Sequence, residues 1–451
     1  MLLGEAKIVS ALQKAARWSR ADQTLLAVQR GAQTTLRFAH GKIHQSFHEE
    51  DLTAWVKVAC GGRAGVATTS SLKQSSLEKA IEAALAIAQL SGKAIIPAFS
   101  ASAPEQPAPK LTTYFPETVH RPLEETVRLI GSLWDRSRKQ GPELAGSFVA
   151  GENELAVVGS GGLAQYQPFS IGGLRLVATE GKSSGFAAQA FRGINTLDAD
   201  SLLGRALDFC RKNRDPKPLR LGKYDVLLEP EAVAELMEWL GYIGFGAKQV
   251  HERTSFMTGR IGDRIMGKEI SIYDDGSDPR GLAVPFDLEG IPKQRVDLVT
   301  QGKAEGIVYD SQYGKMYRCP STGHALPYDE FEGPLASNLF LRAGNTPRAE
   351  MLKRMGSGLW ITRFHYVSGL LNTQQALMTG LTRDGTFLVE KGKVVGAVKN
   401  LRFTQSVLEA FSNVLAVSRE QQLIADPAQG FSSVVTPALL IKGFTFTGQT
   451  K

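Results

Sequence analysis

Polar and apolar residues alternate in period two through Thr35-Leu36-Arg37-Phe38 and again through Trp55-Val56-Lys57-Val58, with Gly41-Lys42 between the two runs. Successive side chains of a strand face opposite ways, so the pattern predicts a hairpin turning at Gly41-Lys42. Downstream, Leu77, Ile81, Ala84, Leu85 and Ala88 recur at helical spacing behind Ser75 and Glu78, which predicts a helix opened by a capping box. Leu123, Val127, Ile130 and Trp134 mark a second helix, and 149–191 reads as short strands punctuated by glycine. A strand at 224–228 precedes a helix with Pro230 in its first turn and Val233, Leu236, Met237 and Leu240 on one face. Beyond it, alternation at 439–447 and the glycine turns of 276–396 point to a large antiparallel sheet assembly.

Two stretches break this patterning. The segment 97–116 is rich in Pro, Ala and Ser and cannot continue regular structure, and 210–220 is polar and proline-bearing. Both are expected to be linkers. The expected organisation is an α+β chain: an N-terminal domain over 1–97, a middle domain over 112–215, and a strand-rich antiparallel C-terminal domain over 216–451. The first two are sheet-and-helix domains.

Composition narrows the class. A chain of 451 residues with 43% hydrophobic and 22% charged residues lies near the globular averages. Glu5, Lys7 and Lys14 interrupt the apolar positions that a secretory signal would need, and no stretch approaches the roughly 20 apolar residues of a membrane span. Cys60, Cys210 and Cys319 form no CxxC pair, which fits a reduced, cytoplasmic setting. The net charge of +7 is spread along the chain, so it describes a solvated basic surface better than a nucleic-acid site.

The candidate chemistry is sparse. His40, His44 and His48 resemble a zinc triplet, but on a strand residues four apart are separated by roughly 13 Å, too far to share an ion bound at about 2 Å. His251-Glu252 begins like HExxH, yet Ser255 stands where the second His belongs. His324 and His365 are isolated candidates. Glu231, Glu235 and Glu238 share one helical face, and Gly159-Ser160-Gly161-Gly162 lacks the Lys of a phosphate loop.

The second half carries an ordered motif series. Thr254-Ser255 is followed by Gly259 and Gly262, Asp274-Asp275-Gly276, Asp287-Leu288-Glu289-Gly290-Ile291-Pro292, Ser321-Thr322-Gly323, Ser368-Gly369 and Glu390-Lys391-Gly392-Lys393-Val394. This series resembles the third domain of the TldD/PmbA family of zinc metallopeptidases. Gly41-Lys42-Ile43-His44-Gln45 and Gly62-Arg63-Ala64-Gly65 resemble its first domain. In that family an HExxxH helix precedes the Thr-Ser motif, and a distant Cys completes the metal site. Counting back from Thr254 places the helix motif on Glu238-Trp239-Leu240-Gly241-Tyr242-Ile243, where both His and the Glu are replaced, and no Cys follows Cys319.

The resemblance therefore implies a TldE (PmbA)-like chain with a degenerate motif at Glu238, Trp239 and Ile243 and no cofactor of its own. It further implies a TldD-like, HExxxH-bearing partner that holds zinc, with peptides as substrates. Two other readings remain open: a stand-alone metallopeptidase with a shifted metal site among His251, Glu252, His324 and His365, or a peptide-binding scaffold without proteolysis.

Overall fold

The computed structural model describes residues 1–92, 99–427, 430 and 432–449. Pro97 and Ala98, at the start of the expected first linker, lie outside the described residues. Helix α1 (Glu5–Trp18) leads into strands β1 (Gln23–Ala39), β2 (Lys42–Cys60) and β3 (Arg63–Thr69), then α2 (Gln74–Leu90). After the proline-rich segment come α3 (Pro116–Val119), α4 (Leu123–Lys139), β4 (Glu143–Gly159), β5 (Ala164–Glu180), β6 (Ser183–Phe191) and α5 (Ala199–Lys212). The six strands form one antiparallel sheet in the order β3-β2-β1-β4-β5-β6.

The two expected N-terminal units, 1–97 and 112–215, thus share a sheet, because β1 pairs with β4 from Leu25↔Gly159 to Phe38↔Gly146. The run Leu25-Leu26-Ala27-Val28 shows why the pairing holds. Leu26 and Val28 pack beneath α1 and α2, whereas Leu25 and Ala27 face the other way and pack with Val284 and Phe286 of the C-terminal half. Both faces of the central strand are buried, as in an interior strand. Part of the first expected linker also lines this sheet, with Phe99, Ala101 and Thr113 all buried.

The hairpin of β1 and β2 forms as expected, with Ala39 opposite Lys42. Several local expectations are corrected. Ser75 lies inside α2, which begins at Gln74 after Lys73, so its hydroxyl cannot cap the helix; Gln74 Nε2 donates to Glu78 Oε1 at 2.8 Å instead. Helix α4 exists, but Leu123 and Val127 are 48% and 42% exposed, and its buried stripe is Thr126, Ile130, Leu133 and Ser137. That stripe tolerates Ser137 because its hydroxyl donates to the Pro142 carbonyl at 2.8 Å. The second linker begins later than expected, since Cys210 is buried in the last turn of α5.

The C-terminal half opens with β7 (Gly222–Leu228), α6 (Pro230–Gly244), α7 (Ala247–His251), β8 (Ile272–Asp274), β9 (Val296–Thr300), β10 (Lys303–Ala304) and α8 (Ser311–Tyr317). It continues through β11 (Asn338–Leu341), α9 (Met351–Met355), β12 (Gly358–Asn372), β13 (Leu377–Glu390), β14 (Lys393–Ala397) and β15 (Leu401–Ser406). Helix α10 (Val407–Ser412) and strands β16 (Val414–Ile424) and β17 (Ser433–Gln449) complete it. The pairings β7–β12–β13–β15–β17 return to β7, so these strands close on themselves. Most pairings are antiparallel, but β7–β12 and β11–β17 are parallel. Phe364, Phe403 and Phe444 stack among these strands, with centroids 4.6 to 6.0 Å apart. Helix α6 packs on β12 and β17 through Val233, Leu236, Met237 and Leu240, each fully buried. Among the described residues no helix is long and apolar enough to cross a membrane.

One glycine fixes how α2 meets the sheet. A Cβ on Gly65 in β3 would fall 2.0 Å from the Ala84 carbonyl oxygen and 2.6 Å from the Ala88 nitrogen. Backbone cannot yield as a side chain can, so Gly65→Val is expected to cost about 3 kcal/mol. A urea titration checks this, and an unchanged midpoint would contradict the close packing.

Candidate functional site

The carboxylates of α6 share a helical face but not an environment. Glu231 accepts from Arg205 at 2.6 Å and from Gln422 at 3.4 Å, so it is a paired group. Burial pushes Glu235 above the usual carboxylate range, with Arg363 opposing. Glu238 is reached by solvent, although protein crowds around it. Burial, then Glu235 and Asp426, push it up to about 7. A carboxyl of this kind can exchange a proton near neutral pH.

The other two motif positions offer no donor. The Trp239 indole packs over Gly369, where a Cβ would lie 2.7 Å from the ring, and meets Tyr242 edge-on at 5.8 Å. Ile243 is 3% exposed within the core of the C-terminal half. A zinc site needs three or four N, O or S ligands, and Glu238 supplies a single carboxyl. The residues at this helix therefore do not fit zinc.

The remaining candidates are scattered. His251 is exposed at the end of α7, with its ring 6.0 Å from Tyr313 and 6.3 Å from Tyr317. Glu252 caps that helix and lies 3.8 Å from Lys248. His365 stacks on Tyr366 at 4.1 Å, and burial followed by Arg383 and Arg363 lowers its pKa. His44 and His48 are exposed on β2, and His48 meets the Thr34 hydroxyl at 3.0 Å. Among the described residues no three His, Cys, Asp or Glu side chains converge to hold a metal.

His324 has a different setting, which the motif series did not reveal. It is 1% exposed; Nε2 lies 2.8 Å from Asp274 Oδ1, and Nδ1 lies 2.9 Å from the Thr322 hydroxyl. A carboxylate only accepts, so Nε2 carries the donated proton. Asp274 Oδ2 accepts from the Asn338 N–H at 2.7 Å, and Lys293 Nζ donates to Asn338 Oδ1 at 2.7 Å.

Three separated motifs meet in this layer. Asp287 takes the N–H groups of Glu289, Ile291 and Ala325, each at 2.9 Å. Burial and Glu289 nevertheless push it up to about 7. Glu289 accepts from Lys57 of β2 at 3.0 Å, and Trp55 donates to Asp329 at 2.6 Å. The layer thus locks the C-terminal half to the first sheet. It is a hydrogen-bonded framework whose polar groups meet open space at the Lys57–Glu289 edge and at Lys293, which lines a separate cleft of about 890 Å³. Chain spacing could not reveal it, since its members join only in space.

The family model described as the PmbA/TldA metallopeptidase C-terminal domain matches residues 221–448, and the one described as PmbA/TldA metallopeptidase domain 1 matches 26–88. The chain belongs to the PmbA/TldD family. Its fold closely follows that of TldE from Thermococcus kodakarensis, with a TM-score of 0.86 at 20% identity over 97% of this chain and 100% of that one. The PmbA/TldD relatives include the metalloprotease PmbA of Escherichia coli O157:H7, 25% identical over 51% of this chain and 48% of the relative. An uncharacterized protein of Methanocaldococcus jannaschii is 23% identical over 55% of this chain and 56% of its own length. The chain spans about half the length of these curated relatives.

Proposed function

We propose that this chain is a non-catalytic, TldE-like subunit of a two-subunit zinc metallopeptidase that processes or degrades short or unfolded peptides. The observation that carries the reading is the state of α6: Ile243 is committed to the core, Trp239 to a packing contact, and Glu238 alone keeps a metal-capable atom. The likeness to TldE supports the choice of subunit type. Zinc and its activated water would come from a TldD-like, HExxxH-bearing partner. This chain would contribute walls, strand edges for extended peptides, and the subunit interface.

The test is to purify the chain without a metal-binding tag, alone and together with an HExxxH paralogue from the same genome. Peptide hydrolysis is expected only in the mixture, and it should stop on adding a chelator. About one zinc per chain in the protein alone, together with chelator-sensitive cleavage, would overturn the reading.

A further inference from the structure

A cleft of about 760 Å³ opens between the end of β6, the start of α5, the 277–283 loop and the 421–423 stretch of β16. That volume falls within the range of specific ligand sites. Strand β6 ends the six-stranded sheet, and among the described residues no strand pairs with its outer edge. Residues 188–191 of that edge and Arg192 just beyond it line the cleft, an extended length of about 13 Å.

Basic side chains outnumber acidic ones on the walls. Lys110, Arg192, Arg205 and Arg280 line the cleft, against Asp198 as the one lining carboxylate. The guanidinium groups are held in place: Arg192 donates to the carbonyls of Ser170 and Ala283, Arg205 to Glu231, and Arg280 to Asp278 and Tyr273. Fixed cations beside an open strand edge suit a chain with extended backbone and a terminal negative charge.

We infer that the cleft binds a short extended peptide of about five residues as an added strand on β6, its C-terminal carboxylate held by Arg192 and Arg280. The inference rests on the peptide-acting reading above and names the place where this subunit holds the peptide. Backbone pairing supplies affinity for many sequences, and the guanidinium groups set the direction of the chain.

The full chain tests it by fluorescence anisotropy with fluorescein-labelled Ala-Val-Thr-Val-Leu. The probe is made as the free acid, as the C-terminal amide, as the amide with Leu replaced by Asp, and with alternate backbone nitrogens methylated in two frames. Saturable binding of the free acid is expected, with about tenfold weaker binding of the leucine amide and of the free acid to Arg280→Gln. One methylation frame should abolish binding and the other leave it nearly intact, since alternate N–H groups of an added strand face the edge. Amide exchange should slow at 188–192 on binding. The aspartyl amide should bind like the leucine amide; rescue by it would overturn the assignment to a terminal carboxylate. Absence of saturable binding, equal binding in both methylation frames, or protection confined to other strands would overturn the site. Hydrolysis with a partner but no probe binding would sink this inference while leaving the proposed function standing.

Discussion

Replacing Arg30 by Met is expected to destabilise the protein by about 3–5 kcal/mol at neutral pH, the cost of breaking a buried ion pair from one side. Arg30 is 2% exposed in β1 and serves three carboxylates: Glu50 at 2.7 Å, Glu152 at 2.8 Å and Glu154 at 3.3 Å. Glu152 and Glu154 are 1% and 0% exposed, so water cannot replace the guanidinium. Burial alone would raise Glu152, but hydrogen bonds first from Arg30 and then from the Met1 ammonium, together with both charges, hold it below the ordinary value. In the wild type this group therefore adds stability at neutral pH that is lost as pH falls through its folded pKa. Without Arg30, the Met1 ammonium, 2.8 Å from Glu152 Oε1, is left to oppose burial, and the folded pKa of Glu152 rises. The variant therefore loses less stability than the wild type as pH drops. Urea unfolding at pH 5 and pH 8 should show a wild-type-to-variant gap that narrows in acid. A gap of equal size at both would mean that packing, not charge, explains the loss. Adding Glu152→Gln and Glu154→Gln to Arg30→Met should recover part of the stability.

How legible this cluster and the rest of the chain were follows from what each feature depends on. The β1–β2 hairpin and the apolar face of α6 were visible because local period decides them. The division into three units was less so. The strand pair that unites the N-terminal regions, β1 with β4, joins residues more than a hundred positions apart across a proline-rich segment, and composition marks the segment but not what it connects. The buried stripe of α4 was misplaced for a similar reason: Ser137 and Thr126 look like surface residues until a carbonyl or a neighbouring wall satisfies them. No local pattern announces that Glu152 and Glu154 are buried, because Arg30 reaches them from another strand.

The candidate site shows the same split. Motif order placed Glu238, Trp239 and Ile243 on one helix, and the structure puts all of them on α6. Residue type alone could not say that Ile243 is locked in the core or that Glu238 sits where protein pushes its carboxyl upward. The polar motifs around Asp274, Asp287 and His324 were recognisable as a series, but their role is architectural and exists only once 50 or so residues of intervening chain have folded. A glycine-flanked polar motif carries the same letters whether it holds a substrate or a loop.

His324→Ala is expected to cost about 3–5 kcal/mol, since it leaves the Asp274 carboxylate buried beside a cavity with only the Asn338 N–H and nearby Lys293 to offset it. The pH dependence decides which force governs the imidazole. Burial lowers the pKa of His324, whereas Asp274, 2.8 Å away, pulls it upward; Lys293 sides with burial. The neutral ring already satisfies both neighbours, donating from Nε2 to Asp274 and accepting at Nδ1 from Thr322. A proton added there would have to be carried without solvent. Burial therefore wins, and the folded pKa lies below the unfolded value near 6.5. A His with a lowered folded pKa contributes stability that is full above the unfolded pKa and is lost as pH falls below it. The wild type should then lose stability from about pH 6.5 downward more steeply than His324→Ala, and the gap between them should narrow in acid. If the gap instead widened below pH 6.5, the Asp274 charge would outweigh burial. His324 would then be an imidazolium held in an ion pair, and the layer joining the two halves of the protein would be a charge network rather than a neutral hydrogen-bonded one.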